Sequence, residues 1–149
     1  MKWLDLPPIW LAAFAALSYA QAKWFPFGLS LAHPVTMLIS GLLVGGGIVL
    51  VLLAVMEFKR HRTTIIPHQV PTQLIQTGIF KRSRNPIYLA DVLILTGLVL
   101  WWDAVLSLAL VPVLFWILET RFVIPEEDRL RRSFRADFAR YAQKTRRWV

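Results

Sequence analysis

Val35 to Phe58 reads VTMLISGLLVGGGIVLVLLAVMEF, with no charged residue until Glu57. At 1.5 Å per residue, about 20 apolar residues cross roughly 30 Å of hydrocarbon, so this stretch has the length and composition of a membrane-spanning helix. It sits in a chain of 149 residues, 56% of them hydrophobic, with a mean hydropathy of +0.52. A single soluble core of that length cannot hide so much hydrocarbon from water. The length allows one domain, residues 1–149.

Outward from this segment, three more apolar runs appear. One spans approximately residues 8–25 (PIWLAAFAALSYAQAKWF), with Trp10 and Trp24 near its ends. The others span residues 87–102 and 104–122 and meet at Trp101-Trp102-Asp103, where indole rings suit a turn at the far membrane interface. The third run is short and holds Asp91, so it starts before Pro86, thins the bilayer, or forms a tight hairpin with the fourth. The first run has only Lys2 before it, offset by Asp5, and Pro7-Pro8 opens it; we read it as retained rather than cleaved as a signal peptide.

Charge placement sets the expected topology. The formal net charge is +8, and much of it lies in two blocks, Lys59 to Arg84 and Arg121 to Arg147. The loop Pro26 to Pro34 carries no Lys or Arg. Cations beside apolar runs face the cytoplasm and anionic lipid. The expectation is an all-α, polytopic protein of the cell membrane, with four spans and both termini cytoplasmic. A final amphipathic helix is expected over residues 125–145. There Leu130, Phe134, Phe138 and Tyr141 share one face, Pro125 opens the first turn, and Glu126, Glu127 and Asp128 meet its N-terminal dipole. It would lie on the membrane surface or fold back over the cytoplasmic loop.

Several chemistries drop out. Without cysteine there are no disulfides, thiolate metal sites or cysteine nucleophiles. His33 falls on the outer side and His61 and His68 on the inner side, so they do not converge on a metal or haem, and no metal site is expected. Gly41, Gly45, Gly46 and Gly47 lie inside hydrocarbon, where small residues let helices approach, and are read as packing. The aromatics of the basic tail repeat at helical spacing, which argues for docking on membrane or protein and against nucleic acid. Arg121 has two readings: it snorkels to the headgroups, or it faces Glu126 and Glu127 across a polar pocket.

Gly78 to Asp91, GIFKRSRNPIYLAD, demands more than anchoring, because a membrane anchor needs cations but not Asn85, Pro86 and Tyr88 as well. Before it comes Leu74-Ile75-Gln76-Thr77-Gly78-Ile79-Phe80; after it come Glu126-Glu127, then Phe134, Phe138 and Tyr141, then Arg146-Arg147-Trp148. In order and spacing these resemble the isoprenylcysteine carboxyl methyltransferase family with its bacterial integral-membrane relatives, itself similar to the phospholipid methyltransferases. The likeness covers roughly Thr63 to Trp148. Asn85 stands where the family usually has histidine and Phe80 where it has tyrosine.

The resemblance implies S-adenosyl-L-methionine bound on the cytoplasmic side and a lipophilic acceptor entering from the bilayer. It implies that Thr72, Gln73, Leu74 and Ile75 line the cofactor and that Phe80 packs beside it. Asn85, Pro86 and Tyr88 would form its pocket, and Glu126 would hold its ammonium or ribose. Arg121 would match an arginine assigned to the substrate. Arg84 or Lys81 suits the cofactor's carboxylate. A carboxylate acceptor needs no general base; an amine or thiol needs one, and Glu127 or a water would serve. The expected function is an integral-membrane methyltransferase acting on a prenylated or similar carboxylate, a lipid amine or a thiol. The alternative is a non-catalytic tetraspan protein that binds anionic lipid or a partner complex through its basic tail.

Overall fold

The computed structural model describes residues 5–63 and 71–149; His68 and Lys2, read above from sequence, lie outside them. Every regular element among the described residues is helical. Helix α1 runs Pro7–Trp24, with prolines at its start where no N–H partner is needed. Helix α2, Pro34–Arg60, is capped by His33, whose Nδ1 accepts from the Val35 amide at 3.1 Å. Its 27 residues measure about 40 Å, more than a bilayer core. Helix α3, Pro86–Trp101, turns through Trp102 to Ala104 into a 3-10 stretch, Val105–Ala109. Asp103 holds that turn at φ 54°, and its carboxylate accepts from Ser30 Oγ at 2.6 Å and the Leu31 amide at 2.7 Å. The turn at Trp101-Trp102-Asp103 is therefore where the sequence places it.

From Val105 to Phe134 the chain is one helical run: the 3-10 stretch, α4 (Leu110–Leu118), a π-helical turn (Glu119–Val123) and α5 (Ile124–Phe134). Pro125 does not start a separate helix, contrary to the sequence expectation. A proline in a helix interior removes a hydrogen bond and crowds the preceding turn, and here the wider π turn comes immediately before it. Glu126 and Glu127 thus sit inside a continuous helix rather than at a free N-terminus. The helix expected over residues 125–145 is instead two. Arg135, at φ 45° and ψ −113°, breaks it between α5 and α6 (Ala136–Lys144).

The helices alternate in direction. Helices α2 and α3 are antiparallel: Ser40 Oγ donates to the Gly97 carbonyl at 2.6 Å, and at Gly47 the helix meets Ala90 and Ile94. A Cβ at Gly97 would lie 2.9 Å from the Ser40 carbonyl, and one at Gly47 3.0 Å from that of Ala90. The glycines do serve packing, but through Gly47; Gly41, Gly45 and Gly46 face open space. Helix α1 runs alongside α3, with Tyr19 edge-on to Trp102 at 5.3 Å, and against the last run, where Ser107 Oγ donates to Gln21 Oε1 at 2.8 Å. Phe14, Leu95, Leu114, Leu118 and Phe122 fill the space between these three.

Among the described residues, two runs are long and apolar enough to cross a membrane, Pro34–Arg60 and Val105–Phe134; α3, at 16 residues, is apolar but shorter. Only 17% of the most apolar window of α2 is buried, and Leu38, Leu42 and Met56 are each more than 60% exposed. Such a face suits lipid better than water.

Candidate functional site

At one end of the bundle the start of α1, the end of α2, the start of α3 and α5 surround a cavity of about 320 Å³. The C-terminal segment braces residues 80–85, three of which line the cavity. Tyr141 Oη donates to the Phe80 carbonyl at 2.6 Å, the Arg84 amide to the Arg146 carbonyl at 3.0 Å, and Asn85 Nδ2 to the Arg147 carbonyl at 3.0 Å. The 3-10 turn Gly78–Lys81 satisfies the first amides of this segment, and the tail supplies partners for polar groups beyond it. Trp148 anchors the tail against Phe115, ring centroids 4.5 Å apart. The four residues read as one helical face now split across α5 and α6 but still converge, since Leu130, Phe134, Phe138 and Tyr141 pack with Ile75 and Phe80. Burial pushes the Tyr141 phenol up, so it remains a hydrogen-bond donor throughout the physiological range.

The cavity is mostly apolar, with a few polar side chains among its lining residues. Leu6, Pro7, Pro8, Val51, Phe58 and Ile87 supply much of the apolar lining, and Arg84, Asn85, Tyr88 and Glu126 the polar groups. Tyr88 Oη donates to Glu126 Oε2 at 2.8 Å, and the Tyr88 ring stacks on Phe122 at 6.1 Å. A smaller cavity, about 50 Å³, shares Phe58, Phe80, Arg84 and Glu126 with the larger and adds Gln73, Leu74, Ile75 and Tyr141. Arg84 is largely buried, and its Nε has no hydrogen-bond partner among the described residues. A buried donor left unpaired is costly and marks where a ligand's acceptor fits.

The structure therefore brings together Gln73, Leu74, Ile75, Phe80, Arg84, Asn85, Pro86, Tyr88 and Glu126. Four residues singled out from the sequence stand elsewhere. Thr72 lines neither cavity; its amide donates to Thr63 Oγ1 at 2.9 Å. Arg121 reaches Asp5 at 3.0 Å and lies over the Trp10 ring, at the outer surface of α1. Glu127 is buried in a clasp: Arg147 grips both its oxygens at 3.0 and 2.8 Å, and Arg84 Nη1 stands 3.4 Å from Oε1. Arg147 also reaches Glu119 at 2.9 Å, spanning the π turn. Lys81 is exposed, its carbonyl facing Thr145 Oγ1 at 3.3 Å.

Sequence reasoning missed Leu6, Pro7, Pro8, Val51 and Phe58, since hydrophobic residues in apolar helices carry no signal that they border a cavity. It also passed over Glu57, although a lone carboxylate ending a long uncharged run is a functional signal. Glu57 is buried and accepts from Thr77 Oγ1 at 2.5 Å.

Neither the curated proteins nor the solved structures hold a match to this chain. The sequence model of the phospholipid methyltransferase family matches residues 35–137, from α2 into α6. That stretch takes in every cavity-lining residue except Leu6, Pro7, Pro8 and Tyr141. With two helices able to cross a bilayer and a cavity where the family match and the fold coincide, this chain belongs to the phospholipid methyltransferase family of membrane methyltransferases.

Proposed function

We propose that the protein transfers a methyl group from S-adenosyl-L-methionine to a lipophilic acceptor at the cytoplasmic face of the cell membrane. The observation that carries this reading is the Tyr88–Glu126 hydrogen bond, set in a mostly apolar cavity that also takes in Arg84 and Asn85. At about 320 Å³ the cavity falls within the size range of small-molecule sites. The donor set fits the cofactor: the unpaired Arg84 Nε suits its carboxylate, and the Glu126 carboxylate suits its ammonium or ribose hydroxyls. Asn85 is committed to the Arg147 carbonyl and so shapes the pocket as a brace.

When bound, S-adenosyl-L-methionine supplies a methyl group activated by the adjoining sulfonium. Arg84 and Glu126 would fix its charged end, and Gln73, Leu74, Ile75 and Phe80 would wall it from water. Leu6, Pro7, Val51 and Ile87 would receive the acceptor's hydrocarbon, so that proximity supplies much of the rate. The clasp keeps Glu127 off the cavity, so we assign it the holding of Arg84; Arg121 we assign to tying α1 to the π turn. The acceptor class is a carboxylate, a lipid amine or a thiol.

Four membrane spans follow in this reading, the α1, α2, α3 and α4 segments in alternating directions. The cavity end carries Lys59, Arg60, Arg62, Lys81, Arg82 and Arg84, whereas residues 25–34 and 102–105 carry no Lys or Arg. Both termini then face the cytoplasm.

Calorimetry with S-adenosylhomocysteine tests the reading. Purified protein in detergent is expected to bind it, and labelled cofactor incubated with a lipid extract is expected to give a labelled lipid. No binding at millimolar ligand, with folded protein, would leave the non-catalytic tetraspan alternative standing.

A further inference from the structure

At the end of α2, four polar side chains form a chain, of which Gln73 alone also lines the smaller cavity. Thr77 Oγ1 donates its only proton to Glu57 Oε2 at 2.5 Å, so the same oxygen accepts from His61 Nε2 at 2.9 Å. His61 Nε2 also stands 3.4 Å from that Glu57 oxygen. The other ring nitrogen, Nδ1, lies 3.1 Å from the Gln73 side-chain amide. With Nε2 donating, Nδ1 accepts from the turned amide in the neutral ring and donates to the amide oxygen only in the imidazolium; in both cases Gln73 is tied to α2. The next residue, Gly78, holds φ +60°, and a Cβ there would run into the Glu57 carboxylate. Thr77 and Gly78 are thus bonded and fitted to a side chain twenty residues earlier.

This chain borders the segment that walls the smaller cavity. Gln73, Leu74 and Ile75 lie just before Thr77, and Phe80 just after it, its amide bonded to the Thr77 carbonyl at 3.1 Å. Phe80 meets Phe58, the neighbour of Glu57, edge-on at 5.7 Å. Glu57 is buried where the long uncharged run of α2 gives way to Lys59 and Arg60, with the exposed Arg60 guanidinium 3.8 Å from its Oε1, and a buried carboxylate needs such partners. We infer that Glu57 and His61 are positioning residues, which fix the Gln73–Phe80 wall through Thr77 and so set affinity for the nucleoside cofactor. The inference rests on the methyltransferase reading and adds to it residues that touch neither cofactor nor acceptor.

Thr77→Val and Thr77→Ser separate the roles, because serine keeps the hydroxyl and valine keeps the shape without it. Thr77→Val is expected to weaken S-adenosylhomocysteine binding about tenfold, the scale of one charge-assisted hydrogen bond. It should raise KM for S-adenosyl-L-methionine by a similar factor and leave KM for the acceptor unchanged. Thr77→Ser is expected to behave as the parent. His61→Ala, at a partly exposed position, gives the same readout where Thr77→Val fails to fold. Parent-like cofactor affinity in either variant, or a change in acceptor KM alone, overturns the inference while leaving the methyltransferase reading intact. Failure of the parent protein itself to bind S-adenosylhomocysteine overturns both.

Discussion

Tyr88 on α3 donates a hydrogen bond to Glu126 on α5 at 2.8 Å, and that bond joins two cavity-lining residues 38 positions apart in the chain. Glu126→Gln keeps an acceptor for Tyr88 but removes the charge that suits the cofactor's ammonium. Binding of S-adenosylhomocysteine is expected to fall about tenfold or more, the range of a hydrogen bond to a charged group. Arg140→Gln, on the exposed face where Arg140 meets Asp137, is expected to bind as the parent. Equal losses in the two variants would argue against this site.

The clasp around Glu127 predicts a stability effect. Glu127→Ala leaves the guanidiniums of Arg84 and Arg147 without their shared carboxylate, and breaking a buried pair in this way costs about 3 kcal/mol. For a chain of this size that corresponds to a fall in Tm of roughly 6–12 °C, measurable by thermal unfolding in detergent. Arg147→Lys in the parent is expected to lose only part of that amount, since lysine keeps the charge but lacks the planar fork that grips both oxygens.

Helix α2 offers an internal control for packing. Gly97→Val and Gly47→Val drive a side chain against backbone across the α2–α3 contact, and overpacking of this kind costs about 1–3 kcal/mol. Gly41→Ala and Gly45→Ala face open space and are expected to leave Tm within 2–3 °C, the effect of about 1 kcal/mol or less. A reversed order in a melting assay would refute the assignment of Gly47 as the contact residue.

Tyr141 predicts a pH dependence with a definite sign. Its folded pKa is raised by burial above that of the unfolded chain, so its contribution is fully present below the ordinary tyrosine pKa of about 10. It declines only as pH rises from there toward the folded value. Tyr141→Phe loses the bond to the Phe80 carbonyl, about 1 kcal/mol, at neutral pH. The gap between the two proteins should stay constant to about pH 10 and narrow above it.

The absence of cysteine makes topology simple to read. A single cysteine at Phe27 is expected to react with an impermeant thiol reagent added to intact cells, and one at Arg135 only after permeabilisation. Labelling of Phe27→Cys from the cytoplasmic side alone would invert the proposed orientation.

Where the elements lie was largely legible. The runs read as 35–58 and 87–102 are helices Pro34–Arg60 and Pro86–Trp101, because apolar composition and flanking proline and charge are local properties. The π turn and the break at Arg135 were not legible, since periodicity alone cannot register one extra residue in a turn or a residue driven to positive φ by packing. The Glu126-Glu127 pair shows the same limit within the site. Adjacent helical residues point about 100° apart, so the two face different surroundings, and only the phase of the helix decided which one met Tyr88.

The sequence by itself determined an apolar helical chain, its basic end and the polar residues gathered at the mouth of α3, for these follow from composition and spacing. Tertiary structure decided that Arg121 pairs with Asp5, that Glu127 joins Arg147 and that Glu57 reaches Thr77. Each of those partners is distant along the chain or set by helix phase, and hydrogen bonding at 3 Å depends on where the helices come to rest against one another, which no local pattern encodes.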